Sequence, residues 1–256
     1  MSSVRRTCRS FGGSLFAAPM LLIGTAVLAL PGAAHAAPPT VCNTLTATVV
    51  GTDGADRIVL NSPTPLVIST GAGDDTVILG GQGDHTVCAG SGADTVLGGD
   101  GDDWLNGEDG QDHVAGLAGQ DTLMGDAGPD TVVGGPEGDT MYGGAGADTL
   151  DGEAGADFVN GQAGVDRIDG GPGSDTLRGA AGADTISGGV GADALYGQAG
   201  ADDLDGGEAN DALYGGAGND VLTDAAGAAD HGNGEDGGAD RCDIRIETRA
   251  DCEILF

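Results

Sequence analysis

An aspartate returns every nine residues along this chain: Asp94, Asp103, Asp112, Asp121, Asp130, Asp139, Asp148, Asp157, Asp166, Asp175, Asp184, Asp193, Asp202, Asp211 and Asp220. Asp75 takes the same place in a looser unit upstream. Glycine stands two residues before almost every one of them, and an aliphatic residue stands two residues after. Glycine has no side chain, so the carbonyl oxygens around it lie bare and close together. A carboxylate beside such oxygens offers several hard ligands in an adaptable cage, the donor set that Ca²⁺ prefers. In the unit 143–151, Asp148 would supply the charge, and the carbonyls around Gly144 and Gly146 would complete the coordination.

The spacing is strict. Residues 80–223 are 144 residues, or 16 units of nine without an insertion. Position one is Gly in 15 units, with Ala89 the exception. Position four is Gly in 14, with Glu137 and Ala209 the exceptions. Position six is Asp in 15, with His85 the exception, and position eight is Val, Leu, Ile or Met in all 16. A solvated, disordered tail has no reason to hold an aliphatic residue at one phase.

The elements that position these residues follow from the phase. Positions seven to nine, such as Thr149-Leu150-Asp151, alternate outward, inward, outward as in a short strand, so position eight faces a core. The six residues before them must turn the chain sharply, which glycine permits. One unit is a turn and a strand, and two units of nine make a coil of 18 residues that goes out and back.

Charge limits the partners. The 256 residues include 41 Asp and Glu against 9 basic residues, all of them Arg. Residues 1–36 read as a secretory signal peptide. Arg5, Arg6 and Arg9 open it, an apolar run over 15–30 follows, and Ala34-His35-Ala36 offers a small-x-small cleavage site. Three of the nine Arg and none of the acidic residues fall in this segment, which leaves a net charge of −35 beyond it. Phosphate neutralisation needs Lys and Arg, so nucleic acid is excluded as a partner. Self-repulsion of this size opposes compaction, and bound cations are needed to relieve it. No second apolar run follows, so no membrane span is expected after signal removal, and the product is expected to be secreted and extracellular. Cys42, Cys88, Cys242 and Cys252 remain, an even count that suggests two disulfides in an exported chain. At this point three pairings are open.

The repeat, G-G-x-G-x-D-x-U-x with U aliphatic, resembles the RTX, or haemolysin-type, calcium-binding nonapeptide repeat. The likeness covers residues 71–223 closely. It implies an all-β fold: a parallel β-roll (β-solenoid) of about eight 18-residue coils with N- and C-terminal caps. It further implies metal ions held between the turns of successive coils on the same side. Carried onto this sequence, Asp130 pairs with Asp148 and Asp139 with Asp157. Asp75 and the aspartates from Asp94 to Asp220 named above become the expected Ca²⁺ ligands. Eight turns on each side leave at most about 14 sites in the regular array. His85 should weaken the first gap on its side, and Glu137 should either add a ligand or spoil its turn.

The expected organisation is a signal peptide over 1–36, an N-terminal cap with irregular repeats over 37–79, the regular roll over 80–223 and a C-terminal cap over 224–256. Strand-like runs in 45–79 and the alternating segment 242–247 suit such ends, which stop edge-to-edge growth. A rod of this length separates the two caps, so Cys42–Cys88 and Cys242–Cys252 are the expected disulfides.

Catalytic motifs are missing. The chain has no H-E-x-x-H, no G-x-S-x-G and no P-loop. His85, His113 and His231 stand in three different phases of the pattern. Residues 37–70 are too few for an enzyme domain ahead of the repeats, and the chain is expected not to be an enzyme. RTX relatives usually leave through an exporter that reads a C-terminal signal, and this chain departs from that by its N-terminal one.

Two functional readings follow. One is a secreted, non-catalytic calcium-binding repeat protein whose fold is stabilised by Ca²⁺. The other is an extracellular adhesion or wall-associated module. Numbered from Gly80, odd repeats form one sheet and even repeats the other. The outward residues of the odd sheet include Trp104, Met124, Tyr142, Phe158, Tyr196 and Tyr214. Trp104, Met124, Tyr142 and Phe158, on successive coils, would form an apolar patch for a glycan, a cell-wall polymer or a second copy of the roll. Simple cross-strand packing is the competing account of these side chains.

Overall fold

Strand and turn alternate throughout the computed structural model of the chain, which describes residues 41–224, 231–234, 240–242, 248–250 and 253–254. The expected signal peptide lies outside the described residues. Among the described residues there is no helix, hence none long and apolar enough to cross a membrane.

Two parallel sheets of 12 strands each run the length of the molecule. Successive strands alternate between them. Trp104–Gly110 lies in the first sheet, His113–Leu117 in the second and Thr122–Ala127 in the first again. Thr122 pairs with Thr140, and Thr140 with Phe158, so neighbours in a sheet are one 18-residue coil apart. Odd repeats therefore build one sheet and even repeats the other, as the nine-residue phase requires. The fold is the expected all-β parallel solenoid.

The roll is longer than the regular array. Val49–Val50, Arg57–Val59, Val67–Ala72 and Thr76–Ile78 stack beneath it as parallel coils. His231–Asn233, Arg241–Cys242, Thr248–Ala250 and Glu253–Ile254 continue it at the other end. Two sheets of 12 strands make about 12 coils, including the short terminal ones, where about eight were expected. The N-terminal coils keep an inward aliphatic residue and a turn without keeping a nine-residue period. Ile58, Ile68 and Val77 line up with the core although the spacing around them is irregular. These first coils are one residue longer than those of the regular array: Val67 pairs with Thr86 and Thr76 with Thr95. An antiparallel pair, Val41–Cys42 with Leu45–Thr46, precedes them.

The interior is the line of position-eight side chains. Leu105, Leu123, Met141, Leu177, Leu195 and Leu213 are all fully buried. They sit in register across the parallel strands, Leu105 beside Leu123 and Leu123 beside Met141. One aliphatic residue in nine is a thin core, so turns and their ligands carry much of the structure.

Position four shows what the turns demand. Where glycine is replaced, Glu137 and Ala209 keep positive φ values of 78° and 91°. The turn survives at Glu137, whose Oε2 accepts the Gly119 N–H at 3.2 Å. Side chains are strained in this backbone region. Ala209→Gly is therefore expected to raise the stability of the metal-loaded protein by about 1 kcal/mol, read as a higher midpoint of thermal unfolding.

Candidate metal centre

Position six sets its carboxylate into the wall of the roll. Asp130, Asp139 and Asp148 are buried at the turns, each about 2% exposed. Asp148 Oδ1 accepts the backbone N–H of Asp130 at 2.8 Å, and Asp157 Oδ1 accepts that of Asp139 at 2.8 Å. These are the pairs of neighbours that the resemblance implied. The same bond repeats in two columns, one on each side of the roll. One column runs from Asp56 through Asp75, Asp94 and Asp112 to Asp220 and Asp240. The other runs from His85 through Asp103, Asp121 and Asp139 to Asp193 and Asp211.

The second oxygen of each carboxylate is the unusual one. Oδ2 of Asp75, Asp94, Asp103, Asp112, Asp121, Asp130, Asp139 and Asp148 is buried with no hydrogen-bond partner in the protein, and so it continues through Asp157, Asp166, Asp175, Asp184, Asp193, Asp202 and Asp220. Leaving one such polar atom bare costs roughly 1–3 kcal/mol, and more when it is charged. A column of them demands a cation or a proton.

Glycine at position one makes the space that these oxygens face. A Cβ added to Gly143 would lie 2.7 Å from Asp148 Oδ2 and 2.8 Å from the carbonyl oxygen of Gly161 in the next coil. On Gly152 it would lie 2.6 Å from Asp157 Oδ2 and 2.7 Å from the Gly170 carbonyl oxygen. A carboxylate oxygen and a carbonyl oxygen thus converge from neighbouring coils on one small volume that only glycine leaves open. Both are hard oxygen donors, which suits Ca²⁺ and not a soft metal. Among the described residues no three His, Cys, Asp or Glu side chains gather around one point. Main-chain carbonyls must therefore supply most of any coordination shell.

Burial makes these carboxylates reluctant to ionise without a counter-charge. Desolvation pushes Asp103, Asp130 and Asp139 up from the ordinary 3.8 to about 7, although the N–H of the preceding coil opposes the rise. Asp121, Asp166, Asp175, Asp193 and Asp202 rise to about 6 for the same reason. Neighbouring carboxylates in the column add to the upward shift, as Asp121 and Asp157 do for Asp139. A divalent cation among them would relieve both penalties at once.

The chain matches the RTX calcium-binding nonapeptide repeat over residues 67–85, 89–123, 124–159, 160–195 and 187–222. It belongs to that family. No curated protein matches it. The family's repeat and the two columns coincide, since every aspartate from Asp94 to Asp220 lies within the matched segments.

Other residues singled out in the sequence fall as follows in this RTX chain. Asp75 and Asp94 belong to the first column, but Thr70 and Ala89 occupy position one where the later units have glycine. His85 opens the second column: its backbone N–H donates to Asp103 Oδ1, and its Nδ1 accepts the Leu66 N–H at 3.2 Å. Cys42 is bonded to Cys88, which pins the N-terminal antiparallel pair to the first sheet. Cys242 is buried and disulfide-bonded, while Cys252, its expected partner, lies outside the described residues. Asp240 extends the first column at the C-terminal end, its Oδ1 accepting the Asp220 N–H at 3.0 Å. It follows Asp220 by 20 residues, a stretched spacing that takes it out of the nine-residue phase.

The outward aromatic residues stand on the first sheet and contact one another. Tyr142 and Phe158 have ring centroids 6.0 Å apart. The Arg178 guanidinium lies 5.1 Å from the Phe158 centroid and 5.7 Å from that of Tyr196. Tyr196 and Tyr214 stack 5.0 Å apart with planes 7° from parallel. Stacked rings turn their faces along the rod toward each other. This ladder of rings and one guanidinium favours cross-strand packing over a surface that offers ring faces to a sugar. Trp104 and Met124 lie on the same sheet, two coils and one coil before Tyr142.

Proposed function

We propose that this RTX protein is a secreted, non-catalytic calcium-binding protein whose roll is held together by Ca²⁺ between stacked Gly/Asp turns. The observation that carries the reading is the column of unpartnered Asp Oδ2 atoms facing glycine carbonyls of the next coil. Asp103, Asp112, Asp121, Asp130, Asp139, Asp148, Asp157, Asp166, Asp175, Asp184, Asp193, Asp202, Asp211 and Asp220 are the proposed side-chain ligands. Bound calcium supplies positive charge to a chain that otherwise repels itself. The residues do the rest: Oδ1 fixes each carboxylate to the preceding coil, glycine keeps the space open, and a carbonyl of the next coil faces it.

The same geometry speaks against catalysis. Each column carboxylate is tied through Oδ1 to a backbone N–H, which supports a ligand role for it rather than that of a mobile acid or base. Export is read from the basic, apolar and small-residue order of 1–36. Equilibrium dialysis with radioactive calcium tests the proposal. The chain is expected to take up on the order of ten Ca²⁺ cooperatively and to leave equal Mg²⁺ unbound, since Mg²⁺ demands tighter octahedral geometry. Uptake of a single ion or none rejects the reading.

A further inference from the structure

We infer that the two calcium columns begin only at Gly98 and Gly107, and that the coils before them form a cap that folds without calcium. The inference rests on the calcium reading above and concerns where the sites start.

The first argument is space. In the regular array, position-one glycine leaves open the volume that Asp Oδ2 faces, as at Gly98 for Asp103, where a Cβ would lie 2.5 Å from Oδ2. Thr70 and Ala89 hold that position for Asp75 and Asp94, whose Oδ2 atoms are also buried without a protein partner, so a side chain fills the volume that glycine elsewhere leaves open beside that oxygen. Both are fully buried, and Thr70 Oγ1 donates to the Ala89 carbonyl oxygen. That carbonyl is thereby engaged by a hydroxyl rather than left for a metal.

The second argument is donor chemistry. His85 stands where the second column would have its first aspartate, and it is 1% exposed. Its Nδ1 accepts a hydrogen bond from Leu66 N–H, so the ring hydrogen sits on Nε2. Nε2 is buried without a protein partner. Where every later member of the column presents a lone pair, His85 presents an N–H, which repels a cation. Asp56 ends the other column in a different way. Its Oδ2 accepts from Thr52 N–H at 2.6 Å and from Thr52 Oγ1 at 3.1 Å, so the bare oxygen of the other members is satisfied here by protein.

The third argument is what replaces the metal. Leu79 and Ala89 are buried beside the position-eight line, and Val49, Ile58, Leu60 and Leu66 pack against it. These coils therefore have a wider apolar lining than the single aliphatic row of the array. The Cys42–Cys88 disulfide spans the same segment and removes much of its unfolded-state freedom. A cap of this kind presents a finished strand edge on which each later coil can form as calcium arrives. In a stack where each coil touches only its neighbours, such an edge sets the starting point of growth.

Hydrogen exchange of the full chain, disulfides intact, tests this in excess chelator and again in calcium, with protection read peptide by peptide. In chelator, peptides from 48–87 are expected to exchange about a hundredfold or more slowly than free amides, while those from 122–213 exchange freely. Calcium should then protect 122–213. Free exchange throughout in chelator, with calcium protecting everything, overturns the cap and leaves the calcium reading intact. Slow exchange throughout in chelator overturns the calcium reading and the cap with it. A variant carrying Thr70→Gly, Ala89→Gly and His85→Asp provides a second readout. Native mass spectrometry in calcium is expected to show a gain of about one ion per opened position. An unchanged ion count also overturns the inference.

Discussion

In chelator at neutral pH the regular array is expected to be unfolded, and acidification alone is expected to refold it without any metal. The column aspartates carry raised values in the folded state, about 7 for Asp103, Asp130 and Asp139 and about 6 for Asp121, Asp166 and Asp175, against an ordinary 3.8. The folded state thus binds more protons than the unfolded one. Stability of the metal-free roll is greatest below about pH 4 and falls as the pH rises through about 6 and 7. Protonation also removes the charge that keeps the chain expanded. Protons and calcium then compete for the same oxygens, so calcium affinity should weaken as the pH drops through that window. Far-ultraviolet circular dichroism against pH in chelator reads the first effect. Loss of sheet signal on acidification would contradict it.

Substitution at a single turn should show how local the metal dependence is. Gly152→Ala puts a Cβ 2.6 Å from Asp157 Oδ2 and 2.7 Å from the Gly170 carbonyl oxygen, so the coils must move apart or the ligands must turn away. Overpacking of this kind costs roughly 1–3 kcal/mol. Asp157→Ala removes a proposed ligand and also leaves the Asp139 N–H without its 2.8 Å acceptor, a loss of about 1–3 kcal/mol before any metal contact is considered. Both variants are expected to shift the calcium midpoint of folding to higher concentration and to lower the thermal midpoint in saturating calcium. His85→Ala should cost less, because no lone pair is offered there. Equal effects at Asp157 and His85 would mean that position six is structural and not a ligand position.

Much of this was legible in the sequence because the roll obeys one short rule. The nine-residue phase decides which residue faces inward, so Leu105, Leu123 and Met141 could be placed in the core before any coordinates were known. The parallel stacking of coils came from the resemblance to the RTX repeat, which carried onto this sequence makes neighbours of Asp130 and Asp148 and of Asp139 and Asp157. The length of the roll was less legible. Residues 49–78 and the described strands between 231 and 254 extend the roll too, but their spacing departs from the nine-residue period. The direction of each carboxylate was not legible at all. Nothing in the sequence separates the Oδ1 that bonds to the preceding coil from the Oδ2 that stays bare, nor shows that position-one glycine is needed for the space beside it. The role of Arg178 was hidden for a related reason. A charged residue on an outward phase reads as solvated, and only the register reveals Phe158 and Tyr196 on either side of it.

The central claim is that calcium, and not the thin aliphatic core, holds the regular array together. Calcium titration of the chelated full chain, followed by far-ultraviolet circular dichroism with a parallel magnesium titration, tests it most directly. The expected result is a cooperative gain of sheet signal at up to millimolar Ca²⁺, reversed by chelator, with no such gain in Mg²⁺. A spectrum already rich in sheet in chelator at neutral pH, and unchanged by calcium, would contradict the account.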